Sequence, residues 1–308
     1  MESGACQRRF FFMLDFFRQH AVFFMVSASA LGLVVGSFLN VVIHRLPRMM
    51  EQDWFEEIDS QLKERAWPVP AGLGALLQAR LQRFDLFMPR SACPACGHRI
   101  SALENVPVLS YLALRGRCAG CGKRIALRYP LVEVATAGLS ALVAWRFGPT
   151  LACVAALVLC WSLLVLALID FDTQLLPDSI TLPLVWAGIA FNLFDALTNL
   201  QSAVIGAMAG YLVLWSVYWL FKIITGREGM GFGDFKLLAA LGAFLGWALL
   251  PLIVLLSSVV GAVIGILLIL MAQRGREVPM PFGPYLACAG LVALLAGDHL
   301  TRAYLDFL

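Results

Sequence analysis

The sequence predicts an all-α polytopic membrane protein of about eight transmembrane helices, with a zinc-binding cytoplasmic loop between the first helix and the second. Three observations carry this. Hydrophobic residues make up 60% of the 308 and charged residues 14%, whereas an ordinary soluble domain is roughly 25% charged; the mean hydropathy is +0.81. Apolar runs of helical length recur eight times. Between the first and second of them, positions 44 to 130 hold 13 of the 23 Lys and Arg residues against 8 acidic ones, a local net charge of +5. The net charge of +3 is too small to argue for a nucleic-acid partner, so the expected surroundings are the lipid bilayer and water.

The first run, Ala21 to Ile43, is uncharged for 23 residues, roughly 34 Å as a helix, which is a full span rather than the shorter core of a cleaved signal peptide. Pro47 is expected to stop it, with His44 and Arg45 at the interface. From Met49 to Arg90 the charge density rises and Pro68, Pro70, Gly72 and Gly74 interrupt any long helix. That predicts a water-facing segment with one short amphipathic helix near Leu76 to Phe84. By the excess of basic residues the segment lies in the cytoplasm. Lys222 and Arg227, and Arg274 and Arg276, agree with this orientation; Arg8, Arg9 and Arg18 oppose it.

Within this segment Cys93, Cys96, Cys118 and Cys121 form two C-x2-C knuckles separated by 21 residues, close to the spacing of a four-cysteine zinc site. Gly97 and Gly122 follow the knuckles and let the backbone turn around a tetrahedral metal. The alternative is four unmetallated or redox thiols. Cys6, Cys153, Cys160 and Cys288 have no ligand-like spacing and read as small hydrophobes. His98 reads as a surface residue, because four thiolates already complete a tetrahedron; His20, His44 and His299 lie near span ends.

Beyond Pro130 the expected spans are Leu131–Trp145, Leu151–Ile169, Leu182–Phe194, Ala203–Phe221, Phe235–Leu250, Leu252–Met271 and Tyr285–Ala296. The 35 uncharged residues from Leu237 to Met271 would make a helix of roughly 52 Å, too long for a hydrocarbon core of about 30 Å, and Pro251 is the expected break. The chain thus divides into residues 1–43, a tail and the first span; 44–130, the cysteine-bearing loop; and 131–308, a seven-helix bundle.

Two carboxylates stand at the ends of spans. Asp170 closes the third run and Asp234 opens the sixth, and with alternating topology both fall at the same membrane depth. A carboxylate there costs roughly 2.5 to 3.5 kcal/mol at mid-membrane and less near the edge, so it asks for a function. Two aspartates within reach of each other share a proton, one acting as base on a water molecule and the other as acid. Gly231 and Gly233, in Gly231-Phe232-Gly233-Asp234, leave the mouth of the span open to an extended peptide. Asp172 and Asp178 read as solvated or helix-capping residues in a polar turn. Glu133 reads as an interface partner of Arg128 or as support for the site. A proton-coupled transporter with the aspartates as relay, and a zinc scaffold without chemistry, are the rival readings.

With these motifs on the page, the chain resembles the type IV prepilin peptidases of the GxGD aspartic protease group. The resemblance rests on Gly36-Ser37-Phe38-Leu39-Asn40, the cysteine tetrad, Arg128-Tyr129-Pro130-Leu131-Val132-Glu133, the segment from Asp170 to Asp178, the segment from Glu228 to Lys236, and Pro281-Phe282-Gly283-Pro284-Tyr285. It implies an intramembrane aspartic peptidase with Asp170 and Asp234 catalytic and zinc on Cys93, Cys96, Cys118 and Cys121, the same six residues that depth and spacing select. It further implies cleavage of type IV prepilins and type II secretion pseudopilins after a glycine. The new amino terminus, usually phenylalanine, would then be methylated with S-adenosylmethionine. A bacterial inner-membrane location, and a link between Gly116 and methyl transfer, also follow from the resemblance alone.

Overall fold

In hydrocarbon a backbone polar group has no water to bond, so an apolar chain closes its hydrogen bonds within itself as helix. The computed structural model, which describes residues 15–65, 84–101, 103–227, 229–272 and 281–307, is built this way. Its helices are α1 (Ala21–Glu64), α2 (Leu109–Ala113), α3 (Arg128–Phe147), α4 (Leu151–Thr173), α5 (Asp178–Asn192), α6 (Leu200–Thr225), α7 (Phe232–Leu245), α8 (Leu250–Ala272) and α9 (Gly283–Phe307). Single 3-10 turns occupy Leu103–Asn105 and Trp247–Leu249. Among the described residues there is no named strand, and the two isolated bridges, Ala92 with Arg99 and Arg117 with Arg124, flank the knuckles. The short helix expected near Leu76 to Phe84 falls, but for its last residue, outside the described residues, as do Arg8, Arg9, Arg274 and Arg276.

Among the described residues, five helical stretches are long and apolar enough to cross a membrane: Ala21–Glu64, Arg128–Phe147, Leu151–Thr173, Leu200–Thr225 and Trp247–Leu267. The other three expected spans lie on shorter helices, α5 with 15 residues, α7 with 14, and the apolar part of α9. At 1.5 Å per residue α7 measures about 21 Å, less than a bilayer core. Its environment explains that it needs no lipid. From Phe235 to Leu245 every residue but Lys236 is buried, and α7 packs against α5, α6 and α9. The approach is close because small residues face each other. A Cβ on Gly206 would strike the Gly242 carbonyl, and one on Gly210 would come to 2.6 Å from the Leu238 carbonyl, a Gly-x3-Gly seam of the kind that draws membrane helices together.

Three local expectations are corrected. Pro47 does not stop the first helix, which continues to Glu64 with Pro47 inside it. A proline there removes one ladder hydrogen bond, but its fixed φ is helical, and the Glu, Gln, Leu and Lys residues that follow are strong helix formers. Arg45 is no interface anchor: it is 8% exposed, donates to the carbonyls of Asp85 (2.9 Å) and Pro89 (2.7 Å), and lies over the Phe84 ring. The long apolar stretch breaks at Gly246 and not at Pro251. Gly246 has φ +82°, a backbone that residues with a Cβ rarely adopt, whereas Pro251 sits in the first turn of α8, where its missing N–H costs nothing.

By contact density the chain separates into two units, Leu33–Ala135 and the remainder, Met1–Gly32 with Thr136–Leu308. In the second, the fully buried Asn192 closes the far end of α7. Its amide donates to the carbonyls of Ala243 (2.8 Å) and Phe244 (3.0 Å), and its oxygen accepts from the N–H groups of Leu197 and Thr198.

Candidate active site

Helix α4 carries Asp170 in its last turn and ends where Gln174 takes φ +56° and its N–H bonds the Asp170 carbonyl at 2.8 Å. That left-handed stop turns the chain toward Pro177 and α5. Helix α7 begins from the other direction. Gly231 is extended at φ −81° and ψ 151°, and Asp234 falls in the first helical turn. Asp170 is 4% exposed and Asp234 6%. Both line one cavity of about 250 Å³, with Gln174, Leu176, Gly229, Met230, Gly231, Gly233, Pro281 and Phe282. The structure thus brings together the two aspartates and the two glycines that the sequence singled out.

The glycines have different reasons. A Cβ on Gly233 would come to 2.6 Å from the Leu176 Cβ, so close packing excludes a side chain there. At Gly231 nothing lies within 4 Å of such an atom, and the space a side chain would fill is open. Gly283, beside the cavity, is not among the site residues that the sequence selects. Its N–H donates to Asp170 Oδ2 at 2.9 Å, a buried bond across 113 residues of chain; the signal was its place in Pro281-Phe282-Gly283-Pro284-Tyr285.

Asp178 is more than a solvated turn residue. Lys236 Nζ donates to both of its carboxylate oxygens, at 2.6 and 2.7 Å, from the turn that carries Asp234. Asp172 lies within α4 and is exposed. Glu133, 8% exposed, accepts a 2.7 Å bond from the Val108 N–H, which neither reading of its sequence position foresaw.

The cysteine segment is built twice over. Cys93 N–H bonds the His98 carbonyl and Gly97 N–H the Cys93 carbonyl; 25 positions on, Cys118 N–H bonds the Lys123 carbonyl and Gly122 N–H the Cys118 carbonyl, all at 2.9 Å. Gly97 and Gly122 have φ of +71° and +70°, which is why each knuckle needs its glycine. The four Sγ atoms lie within 4.8 Å of one another, and Cys93 and Cys121 are 3.9 Å apart. Ligands at 2.3 Å around tetrahedral zinc are about 3.8 Å apart, so the cluster fits that ion. Its electrostatics fit as well. The backbone N–H groups of Ala95 and Cys96 bring the Cys93 thiol down to about 6. The His98 backbone favours the Cys96 thiolate, yet desolvation and the adjoining Cys121 and Cys93 push it up to about 12, so four thiolates together call for a cation. His98 is not part of the cluster. Its Nε2 meets Glu104 Oε1 at 3.0 Å, and the Ser101 N–H, with His98, holds the Glu104 carboxyl down to about 2.

Gly116 lies between α2 and the second knuckle at φ +66°, with its N–H on the Tyr111 carbonyl at 2.8 Å. A Cβ would meet the Tyr111 hydroxyl at 2.7 Å. These contacts give Gly116 a structural reason of its own.

Comparison with known proteins follows the same division. Residues 30–147 match the bacterial peptidase A24 N-terminal domain, and residues 157–266 match the type IV leader peptidase family. Curated proteins similar to the chain include the prepilin leader peptidase/N-methyltransferase of Pseudomonas aeruginosa, 51% identical over 96% of this chain and 98% of its own length. Those of Aeromonas salmonicida (56%, over 89% and 91%) and Burkholderia pseudomallei (52%, over 88% and 84%) bear the same name. No solved structure matches significantly. With a cavity walled by two buried aspartates and relatives of more than half identity along almost the whole chain, the protein belongs to the type IV leader peptidase family.

Proposed function

We infer that this chain cleaves the leaders of type IV prepilins and methylates the amino terminus so exposed, with Asp170 and Asp234 as the catalytic pair. One observation carries the assignment of residues: two carboxylates from different helices, each almost fully buried, wall a single cavity. Burial of two acids at one place costs stability, and chemistry is the return on it.

In the mechanism this supports, the pair holds one proton. The ionised member takes a proton from a water molecule as its oxygen attacks the scissile carbonyl carbon; the other protonates the developing oxyanion. Collapse breaks the C–N bond: the leaving amine takes a proton from the pair, one hydroxyl of the diol gives a proton back as the carboxyl group forms, and the pair ends with the single proton it began with. The open space beside Gly231 gives an extended peptide room beside both carboxylates. Pseudopilins of type II secretion are substrates of the same form, cleaved after glycine from the cytoplasmic face of the inner membrane.

Cys93, Cys96, Cys118 and Cys121 hold one zinc ion in a closed thiolate site, where it stabilises the fold and takes no part in the reaction. S-adenosylmethionine would supply the methyl group for the second activity: the exposed amine gains the methyl and loses a proton, and S-adenosylhomocysteine leaves. We place that step on the segment 44–130, near Gly116. Purified enzyme incubated with a prepilin, with and without S-adenosylmethionine, tests the reading: mass spectrometry should show a leaderless product in both cases and one added CH2 only with the methyl donor. An uncleaved prepilin would overturn it.

A further inference from the structure

The dyad has a third member that is not a side chain. Gly283 opens α9, and its N–H donates to Asp170 Oδ2 at 2.9 Å in a buried setting. A helix leaves the N–H groups of its first turn without internal partners, with a partial positive charge at that end. In α9 the next residue, Pro284, has no N–H at all, and the Tyr285 and Leu286 N–H groups are taken by the Phe282 carbonyl at 3.1 and 3.2 Å. The donor left to face the aspartate is therefore that of Gly283. Its lack of a side chain is equally specific. A Cβ there would lie 2.6 Å from Asp170 Oδ2, 3.1 Å from its Cγ and 3.3 Å from its Cβ, so any other residue would push the carboxylate from where the N–H holds it. Neither feature reflects a left-handed backbone, since Gly283 is not among the positive-φ glycines. What excludes a side chain is the approach of the carboxylate itself.

We propose that Gly283 is the positioning residue of Asp170: the N–H at the start of α9 fixes Oδ2 as an acceptor, and the absent Cβ is what permits the contact. Resting on the peptidase reading above, this assigns the two oxygens different work. With Oδ2 engaged by a donor, a proton on Asp170 resides on Oδ1, which is then the oxygen that exchanges protons with Asp234 or water. The neighbouring Pro281 and Phe282 line the same cavity, so the segment that positions the aspartate also forms part of its wall.

The full-length enzyme in lipid nanodiscs tests this with four proteins: wild type, Gly283→Ala, Asp170→Ala and the double variant. Gly283→Ala should lower kcat for prepilin cleavage on the order of 100-fold, the usual effect of displacing a reacting group by about 1 Å, with KM close to wild type and zinc content unchanged. Its melting temperature should fall relative to wild type, and the same substitution in the Asp170→Ala background should lower it much less, because the clash is with that carboxylate. If Gly283→Ala alone does not fold, folding of the double variant supports the proposal and its failure to fold overturns it. A melting temperature lowered equally in both backgrounds, or kcat near wild type in Gly283→Ala, also overturns it. An unaltered peptidase in Asp170→Ala would instead sink the catalytic reading and leave the Gly283 contact to be judged by the melting data.

Discussion

The cysteine knuckles and the aspartate cavity both gather charged or ionisable groups, yet they are held by opposite means. In each knuckle the organising backbone bonds span four or five residues, from Cys93 to His98 and from Cys118 to Lys123, and the segment has little apolar core of its own. Cys96 and Cys121 are exposed. Around the cavity the organising bond, Gly283 to Asp170, spans 113 residues; α4 and α7 supply much of the buried core, including Leu163, Leu166, Phe235 and Leu241. A short local frame needs a metal to become rigid, since without one it cannot offset its conformational entropy. A cavity formed by long-range helix packing is rigid already and can tolerate two buried carboxylates. Cofactor dependence and packing dependence should therefore separate experimentally.

The largest effect should come from the metal. Protein purified without added metal should contain one zinc per chain, and a strong chelator, or serine at any of the four cysteines, should remove it and expose the segment around Arg99 and Arg117 to trypsin. Apparent zinc affinities in closed thiolate sites run to about 10–16 kcal/mol, far above any single packing contact. The helices should keep their melting behaviour, and cleavage should survive far better than in the dyad variants. A tetrad isolated as disulfides, or without metal, would end this side of the comparison.

Next in size are Asp170→Asn and Asp234→Asn. Each should reduce cleavage by at least about 1,000-fold, the upper part of the range for a general acid or base, while zinc content and membrane insertion stay as in wild type. The kinetic assay and the metal analysis can be run on the same preparation. Either variant retaining substantial cleavage would show that the cavity is not the reaction centre.

How much of this is legible in the sequence follows from the same contrast. The knuckles could be read directly, because ligand spacing and the glycine after each pair are local properties. The aspartates were reached by counting spans, which places them at one depth but says nothing of who touches them. Gly283 and Asn192 could not be read that way. Each makes its bonds to an element that only tertiary packing brings near. Pro47 and Pro251 misled for different reasons: Pro251 sits in a first helical turn, where a missing N–H has no partner to lose, whereas Pro47 costs α1 one ladder hydrogen bond that the strong helix formers after it offset. Gly246, with φ +82°, was the true break, and in a stretch this rich in small residues nothing local distinguishes it from Gly242.

A third substitution tests whether packing holds the cavity. Gly206→Leu would drive a side chain into the backbone of α7 at Gly242, and should cost about 3 kcal/mol or more, the upper end of overpacking effects. Gly138→Ala, where nothing lies within 4 Å of the new atom, serves as the control and should gain about 0.5–1 kcal/mol, as alanine does over glycine in a helix. Denaturant titration of the reconstituted protein reads both. Equal stability in the two variants would mean that the seam between α6 and α7 is looser than its geometry.

The smallest effect is expected at the ion pair that borders the cavity. Lys236 leaves α7 two residues after Asp234 and meets Asp178 in the first turn of α5, so the pair ties the helix of one cavity aspartate to the segment that follows the other. Its side chains are 24% and 57% exposed, respectively, and solvent screening limits such a pair to about 0.2–1 kcal/mol. Some of what it contributes would come from Asp178 alone, as a negative charge at the amino end of α5. Asp178→Asn should therefore keep most of its cleavage activity, and Lys236→Ala should lose slightly more because the lysine stem is largely covered. Exchange of the charges, Asp178→Lys with Lys236→Asp, should not fully restore wild-type rates, since it sets a positive charge against that helix end. Complete loss of cleavage in Asp178→Asn, with zinc and fold intact, would mean that the pair governs the cavity rather than trims its edge, and the line between cavity and border would have to be redrawn to include α5.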